Sequence, residues 1–319
     1  MTGGEYNTAL SAFRRHFLQV PDVTMDSNAQ PLIRSLTTRN HDRDLAGLTY
    51  VYPVLSRRAG GVSVGINLNP NNACNWHCAY CQVPDLTRGK APAIDLAVLE
   101  AELRGFLAAL VEGDWMVRHV PAEMRVIRDI AFSGNGEPTS ADEFPEAVAL
   151  VARLRDEFGL GSGGRAPGAP VPLRLITNGS LAGQARVQHG LHLLAAAGGE
   201  VWFKVDAGTP EAIERINGVR LEPASIAKHL AASATCCPTW VQTCMFRWDG
   251  QAPDEAALAS YLALLSAAGI DRLQGVLLYG IARPSMQQEA GHLSPLTAEE
   301  LETIGERLRR AGLTVRVSP

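Results

Sequence analysis

Short apolar segments with the two-residue period of β-strands alternate along the chain with longer segments whose apolar positions recur every three or four residues, as on one face of a helix. The strand-like segments span residues 61–68, 126–132, 172–180, 200–208, 240–246, 273–279 and 314–317. The helix-like segments span residues 96–111, 144–158, 185–197, 211–216, 224–232, 255–268 and 297–311. Because strands that alternate with helices form parallel sheets with right-handed crossovers, the pattern predicts an α/β fold.

The first part of the chain does not follow this alternation. We expect residues 1–60 to form an N-terminal extension that packs on the main body, residues 61–319, with residues 50–55 as an extra strand. The chain has 319 residues, of which 46% are hydrophobic and 19% are charged. Such a composition is typical of a globular protein with a sizeable core and argues against a disordered or disulfide-stapled chain.

Composition and charge also narrow the cellular setting. No apolar run approaches the roughly 20 residues needed to cross a bilayer, and residues 1–10 lack the apolar region of a secretory signal. We therefore expect a cytoplasmic protein without membrane association and with reduced cysteines. The formal charge is −4, so a nucleic-acid partner would need a local basic patch such as Arg57 and Arg58, and it is not favoured.

Three of the six cysteines, Cys74, Cys78 and Cys81, lie within eight residues. This density of soft thiolates is typical of a metal or iron–sulfur loop rather than of core packing. A structural zinc site needs a fourth ligand, and His77 lies between two of the cysteines, where it is poorly positioned to reach the same ion. A [4Fe-4S] cluster with three protein ligands leaves one iron open to a substrate or cofactor. Structural zinc and reactive free thiols remain the alternatives.

The cysteine loop follows a predicted strand and resembles the radical SAM superfamily. The signature of that superfamily is Cys-x3-Cys-x2-Cys with an aromatic residue before the last cysteine, a position that Tyr80 occupies. The resemblance implies a partial (β/α)6 barrel, a [4Fe-4S] cluster on Cys74, Cys78 and Cys81, and S-adenosylmethionine on the open iron. It also implies an electron donor such as flavodoxin or ferredoxin, and cleavage of the cofactor to a 5′-deoxyadenosyl radical.

A glycine-containing turn follows the second strand of the main body, at residues 133–139. Gly134 and Gly136 allow the backbone to approach a ligand closely, and Pro138 holds Glu137 in extended geometry, with a carboxylate that can accept from an ammonium group. The turn resembles the GGE motif that binds the methionine amino group in radical SAM enzymes. Asn135 departs from the two adjacent glycines of that motif. An ordinary strand-to-helix turn is the structural alternative.

The ends of the next two predicted strands supply more polar candidates. The resemblance implies that Asn178 and Ser180 meet a ribose hydroxyl or a carboxylate of the cofactor. Lys204 and Asp206 are two residues apart, so they share one face of an extended strand. Lys204 is a candidate for binding the cofactor carboxylate, and Asp206 for a polar or acid–base group. A common loop sequence and a salt bridge between Lys204 and Asp206 are the alternatives.

The substrate-side candidates are four residues at or beyond strand ends: Asp206, Gln242, Tyr279 and Arg283. The sequences of residues 132–139, 204–209, 241–243 and 279–284 resemble a branch of the superfamily related to the wybutosine-type, 4-demethylwyosine synthase-like proteins. Those enzymes modify a guanine in tRNA and bind a second cluster through cysteines near the N-terminus. The chain has no cysteine before Cys74, so a small-molecule substrate is favoured over tRNA.

The remaining cysteines, Cys236, Cys237 and Cys244, allow several interpretations. Buried structural thiols are favoured, because cysteine is among the most buried residue types and adjacent side chains of an extended chain point apart. A shared site for trivalent arsenic would instead point to transfer of the 3-amino-3-carboxypropyl arm of S-adenosylmethionine. A non-catalytic zinc or iron module is a rival from another class. A catalytic thiol enzyme is a further rival, although no His or Asn arrangement around Cys244 supports it.

Overall fold

The computed structural model describes residues 47–56, 60–166 and 168–319. Its strands are β1 (Val51–Ser56), β2 (Gly61–Ile66), β3 (Ala73–Cys74), β4 (Thr87–Arg88), β5 (Ile127–Phe132), β6 (Leu173–Thr177), β7 (Glu200–Lys204), β8 (Thr239–Cys244), β9 (Phe246–Trp248), β10 (Gly275–Tyr279), β11 (Leu293–Pro295) and β12 (Val315–Ser318). Its α-helices are α1 (Leu96–Val111), α2 (Trp115–His119), α3 (Phe144–Glu157), α4 (Ala185–Ala196), α5 (Pro210–Asn217), α6 (Pro223–Cys236), α7 (Glu255–Ala268) and α8 (Ala298–Arg310). The predicted extension lies mostly outside the described residues.

One curled sheet dominates the fold, with the strand order β1-β2-β5-β6-β7-β8-β10-β12. The edge strand β1 runs antiparallel to β2, and the other neighbours run parallel to each other. Within the described residues β1 and β12 lie at opposite edges and do not pair, so the barrel is open. The prediction of an α/β partial barrel is confirmed, and β1 and β12 extend its sheet at the two edges.

The alternation of side chains along each strand gives the sheet two different faces. The convex face packs against the helices through side chains that are at most 1% exposed: Val64, Ile66, Ile130, Leu175, Val201 and Phe203. The concave face carries polar and aromatic side chains that line a cavity: Ser63, Asp129, Arg174, Trp202, Lys204 and Gln242. The apolar core therefore lies between the sheet and the helices, and the inside of the half-barrel is free for a ligand.

Helix α1 shows why the predicted helices form where they do. Its N-terminus is capped by Asp95, whose carboxylate accepts from the backbone N–H groups of Ala97 and Val98 at 3.0 and 3.1 Å, a contact that stabilises a helix by about 1 kcal/mol. Its buried face repeats at intervals of four and three residues: Leu99, Leu103, Phe106 and Leu110. Burial of each such side chain contributes roughly 1.5–3 kcal/mol.

The edge strand β1 is tied to helix α1 by a buried carboxylate. Glu102, 7% exposed, accepts hydrogen bonds from the backbone N–H groups of Thr49 and Tyr50, both at 2.8 Å, and of Val51 at 3.2 Å. Three donors satisfy a charge that would otherwise be costly to bury. The predicted strand at residues 50–55 is thus confirmed as β1, and it is fastened to the barrel.

Tyr52 of β1 reaches across the concave face of β2. A Cβ atom at Gly65 would overlap the Tyr52 ring, so the glycine allows the ring to lie over the strand. The Tyr52 hydroxyl is 2.8 Å from the Ser133 hydroxyl, at the start of the turn after β5. The first strand therefore closes one side of the cavity.

The structure departs from the predicted elements at the end of the fifth predicted strand. Residues 240–246 were expected to form one strand, but β8 ends at Cys244 and β9 starts at Phe246, where it pairs antiparallel with β11. Met245 lies between β8 and β9, and its backbone N–H donates to the carbonyl of Tyr279 at 2.9 Å. Strands of three residues carry too short an alternation to be predicted.

No helix in the described part of the chain is long and apolar enough to cross a membrane.

Candidate functional site

A cavity of about 600 Å³ opens at the carboxyl ends of the parallel strands, on the concave face of the sheet. Ligand sites of parallel α/β sheets lie at this end. Most of the predicted site residues line it: Cys74, Cys78, Tyr80, Cys81, Gly134, Asn135, Gly136, Glu137, Asn178, Lys204, Gln242, Tyr279 and Arg283. Ser180 and Asp206 do not.

The cysteine loop forms one wall of the cavity. Its three thiols, Cys74, Cys78 and Cys81, are free, and the backbone turns tightly between Cys78 and Cys81, whose N–H donates to the Cys78 carbonyl at 2.9 Å. Burial raises the pKa of Cys74 to about 11 and that of Cys78 to about 12. Without a metal these two thiols are therefore protonated at neutral pH.

The donor set fits an iron–sulfur cluster bound at one edge of the cavity. Three soft thiols come from one loop and face a common space, and the cavity next to them has room for a further ligand of an open iron. Among the described residues, no three Cys, His, Asp or Glu side chains form a group arranged to hold a single metal ion. The fit therefore rests on the identity of the three donors and on the cavity beside them.

The C-terminal end of helix α5 supports the cysteine loop from behind. The backbone N–H of His77 donates to the Asn217 carbonyl at 3.0 Å, and that of Ala79 donates to the Ile216 carbonyl at 2.8 Å. These carbonyls are among the last of the helix, which have no partner within it. Gly218 follows with φ of +66°, and a Cβ atom there would lie 2.6 Å from the His77 carbonyl oxygen. A glycine therefore lets the helix end meet the loop.

Asp206 lies outside the lining of the cavity, where hydrogen bonds hold its carboxylate. Its carboxylate accepts a very short hydrogen bond from the Tyr80 hydroxyl. It also accepts from the Asn217 amide at 2.8 Å and from the Cys244 backbone N–H at 2.9 Å. With three donors from the chain and 4% exposure, Asp206 joins the cysteine loop to the ends of α5 and β8.

Lys204 is a half-buried cation at the rim of the cysteine loop. Its ammonium lies 4.6 Å from the centre of the Tyr80 ring, over its face, and 3.3 Å from the Tyr279 hydroxyl. Burial alone would lower the pKa of Lys204, but its interactions with Tyr279 and with the Asp206 carboxylate outweigh burial and raise the pKa above its ordinary value. Lys204 is therefore charged across the physiological range, next to the cavity.

The turn after β5 presents Glu137 to the cavity and packs closely on the cysteine loop. A Cβ atom at Gly136 would overlap the Ala73 carbonyl oxygen and lie 2.7 Å from the Asn69 side chain. Gly134 has φ of +142°, which favours glycine. The glycines of this turn thus permit contact with the chain itself as well as with a ligand.

Glu137, 2% exposed, is held by four hydrogen bonds, and the threonines among its donors were not predicted from the sequence. Its Oε1 accepts from the Thr139 N–H at 3.0 Å and from the hydroxyls of Thr139 and Thr177, both at 2.6 Å. Its Oε2 accepts from the Asn178 N–H at 2.7 Å. Burial raises its pKa, and these hydrogen bonds oppose that rise. Oε1 thus accepts from three donors and Oε2 from one, so Oε2 is the oxygen with room for another donor.

Asn178 and Ser180 bind the cysteine loop instead of standing free. The Asn178 amide donates to the Asn75 side chain at 2.8 Å, and the Asn75 amide donates to the Ser180 hydroxyl at 2.7 Å. The Ser180 hydroxyl in turn donates to Asn178 Oδ1 at 2.7 Å. Asn178 lines the cavity, and Ser180 lies outside the lining and holds the Asn178 side chain.

Gln242 lines the cavity and carries a buried acceptor. Its side-chain Oε1 is fully buried and has no hydrogen-bond partner in the described structure, and the residue is 3% exposed. Arg283, on the loop after β10, reaches the Gln82 side chain at 3.4 Å. Of these two residues, Gln242 is the stronger candidate for binding a ligand. Its buried carbonyl oxygen has no donor, which costs free energy unless a ligand donates a hydrogen bond to it.

The cavity continues down the half-barrel past a charged layer that the sequence analysis missed. Arg174 forms an ion pair with Asp129, lies 2.9 Å from Glu200, and stacks over the Trp202 ring at 4.6 Å. Ser63 donates to the same Asp129 carboxylate through a very short hydrogen bond. These residues could have been predicted from the sequence, because they are polar residues at alternate positions of otherwise apolar strands.

The second group of cysteines does not form a shared site, which corrects the arsenic hypothesis. Cys236 ends helix α6, and the buried Cys237 lies near the start of β7, with its thiol 3.6 Å from the Gly199 carbonyl. Cys244 ends β8 and lines the cavity. An extended strand rises about 3.3 Å per residue, so β8 separates Cys244 from the other two by roughly 20 Å.

No family model matches the chain. Among curated proteins, the chain is 24% identical over 182 residues to the GTPase Obg of Brachyspira hyodysenteriae, a match that covers 57% of this chain and 22% of that protein. The chain thus spans about a fifth of the length of this curated relative. The Gly-x4-Gly-Lys-Ser/Thr sequence by which P-loop proteins bind phosphates does not occur in the sequence of this chain.

Among the solved structures that align with this chain, one shows the fold. A radical SAM methyltransferase from Sphaerobacter thermophilus aligns with a TM-score of 0.52 and 13% identity over 84% of this chain and 68% of that one. Coproporphyrinogen III oxidase (HemN) from Escherichia coli, a radical SAM enzyme, aligns with a TM-score of 0.43 and 12% identity over 76% and 50% of the two chains. Because the Sphaerobacter enzyme is only 13% identical to this chain, the alignment shows a shared fold alone. This chain has the half-barrel fold of that enzyme.

Proposed function

We propose that this protein is a radical SAM enzyme, in which Cys74, Cys78 and Cys81 hold a [4Fe-4S] cluster and S-adenosylmethionine binds next to it. The observation that carries the proposal is that three free thiols of one loop line the same strand-end cavity as Glu137. When bound and reduced, such a cluster supplies one electron for cleavage of a C–S bond in the cofactor, which starts radical chemistry. The fold shared with the Sphaerobacter enzyme supports the proposal.

Lys204 favours the ionised thiols that a cluster requires. Metal ligands must be deprotonated, so cluster binding releases protons from Cys74 and Cys78. Burial opposes this ionisation, whereas the positive charge of Lys204 lowers the pKa of both thiols. The lysine therefore offsets part of the burial cost at the loop.

Two charged side chains at the cavity match the two charged groups of the methionine part of the cofactor. Glu137 Oε2, with one described donor, would accept from the ammonium group. Lys204, held by the Tyr80 ring and the Tyr279 hydroxyl, would bind the carboxylate. Gly134, Asn135 and Gly136 line the cavity beside Glu137 and would contact the same part of the cofactor through the backbone.

The substrate side of the site would be formed by Gln242, Tyr279 and Arg283. Gln242 Oε1 calls for an N–H or O–H group on the substrate, because nothing in the described structure donates to it. A cavity of about 600 Å³ is in the range of sites for small molecules. We therefore propose a small-molecule substrate, with a carrier such as flavodoxin or ferredoxin as the source of electrons.

Anaerobic reconstitution with iron and sulfide tests the proposal. The wild-type protein should take up about four irons per chain and, after reduction with dithionite, should convert S-adenosylmethionine into 5′-deoxyadenosine. Cys78→Ala should lose both properties. Cys236→Ala is the matched control, since it removes a thiol that lies outside the cavity lining, and it should behave as the wild type.

The same samples separate the rival functions. Formation of 5′-methylthioadenosine would indicate transfer of the carboxypropyl arm instead of hydrogen abstraction. Tightly bound zinc without cleavage of the cofactor would indicate a non-catalytic metal module. Full iron content in Cys78→Ala would refute the assignment of the cluster ligands.

A further inference from the structure

Asn217 is a polar residue where helix α5 calls for an apolar one. The buried residues of α5 are Ile213 and Asn217, which are four positions apart and share one face of the helix. Asn217 is 1% exposed. Burial of an amide costs free energy unless its hydrogen bonds are made, so the residue should have a specific partner.

The Asn217 amide has two partners, and both belong to the machinery of the cysteine loop. Its Nδ2 donates to Asp206 Oδ2 at 2.8 Å and to Cys78 Sγ at 3.5 Å. An amide NH₂ group carries two hydrogens, so one atom can serve both acceptors. The bond to Asp206 fixes the direction of the amide, and the second hydrogen is aimed at the sulfur.

Asp206 extends this arrangement to the other side of the loop. It accepts from the hydroxyl of Tyr80, which lies between Cys78 and Cys81. Asn217 also holds the loop through its backbone, since its carbonyl accepts from the His77 N–H at 3.0 Å. The end of α5 thus fixes the loop by main chain and aims one side-chain donor at a ligand sulfur.

We propose that Asn217 is a positioning residue that raises the reduction potential of the cluster by donating an N–H···S hydrogen bond to Cys78. The inference rests on the proposed function. A donor at the sulfur withdraws negative charge from the ligand, and the reduced cluster carries one more negative charge than the oxidised one. The hydrogen bond therefore stabilises the reduced form more, which is one of the ways in which proteins set the potentials of such clusters.

Redox titration of the reconstituted protein, followed by the EPR signal of the reduced cluster, tests the inference. Asn217→Leu keeps the number and branching of the side-chain heavy atoms and removes the amide group that donates to both acceptors. At a fixed applied potential we expect its ratio of reduced to oxidised cluster to fall about tenfold, the scale of one hydrogen bond to a charged group, which is a midpoint potential about 59 mV lower for one electron. Ile213→Val, on the same buried face without a donor, is the control and should keep the wild-type potential.

Each outcome bears on one of the two proposals. An unchanged potential in Asn217→Leu overturns the inference and leaves the proposed function standing. If the wild type binds no four-iron cluster, the proposed function fails and the inference falls with it. If Asn217→Leu alone loses its cluster, Asn217→Gln, which keeps an amide, should retain iron at a potential near that of the wild type. Loss of the cluster from Asn217→Gln as well overturns the inference.

Discussion

The contact between the Glu137 turn and the cysteine loop makes Gly136→Ala the most informative single substitution in the cavity. The added Cβ atom would overlap the Ala73 carbonyl oxygen and lie 2.7 Å from Asn69 Cγ, where ordinary contact begins at 3.4 Å. The turn and the loop must therefore move apart by at least 0.7 Å. Because Gly136 does not need a positive φ, the effect is purely steric, and overpacking of this kind costs about 1–3 kcal/mol.

The displacement should weaken function more than stability. It moves Glu137 relative to Cys74, and a misplacement of about 1 Å can cost on the order of 100-fold in rate. Calorimetric titration of S-adenosylmethionine and the rate of its reductive cleavage measure the effect, and thermal unfolding should show a decrease of only a few degrees. Gly291→Ala is the control, since a Cβ atom there meets nothing within 4 Å. Wild-type affinity and rate in Gly136→Ala would refute the described packing of turn and loop.

Three further predictions address the edge strand, the Cys78 thiol and Lys204. Glu102→Ala leaves three backbone N–H groups of the β1 segment without acceptors and should lower the free energy of unfolding in urea by on the order of 3 kcal/mol; a change below about 0.5 kcal/mol would contradict it. Burial raises the pKa of Cys78 to about 12 from an ordinary value of 9.0, so the metal-free protein should lose stability as the pH rises from about 9 toward 12. Cys78→Ala should lose less stability over this range. Identical pH profiles of the two proteins in urea unfolding would contradict the raised pKa of the thiol. Lys204→Met should weaken binding of S-adenosylmethionine about 10- to 100-fold, the scale of a hydrogen bond to a charged group, and unchanged binding in calorimetry would exclude Lys204 from the cofactor site.

The elements of the barrel were predictable because their signals are local. Helix α1 begins after a capping residue, Asp95, and keeps an apolar repeat through Leu110, so its predicted bounds and its observed bounds coincide. The cysteine loop and the Glu137 turn were predictable for the same reason, since each is a short run of residues whose chemistry is constrained. Both were expected at strand ends, and the parallel order of β2 and β5 brings them together.

The two-residue alternation of a strand could not predict whether a side chain beyond the strand end lines the cavity or lies behind its wall. Lys204 is the last residue of β7, so the two-residue alternation no longer applies at Asp206, and the side chain turns toward Tyr80 and the end of α5. Asn217 was missed although it carries a signal: an amide on the buried face of an amphipathic helix. The partners of that amide come from residues more than a hundred positions earlier, and from the loop after β7.

The EPR spectrum of the reduced, reconstituted protein, recorded with and without S-adenosylmethionine, tests the central claim most directly. The account predicts the signal of a reduced four-iron cluster that changes when S-adenosylmethionine is added, because the cofactor binds at an iron that the three cysteines leave open. Absence of a cluster signal, or a signal that S-adenosylmethionine leaves unaltered, would contradict it.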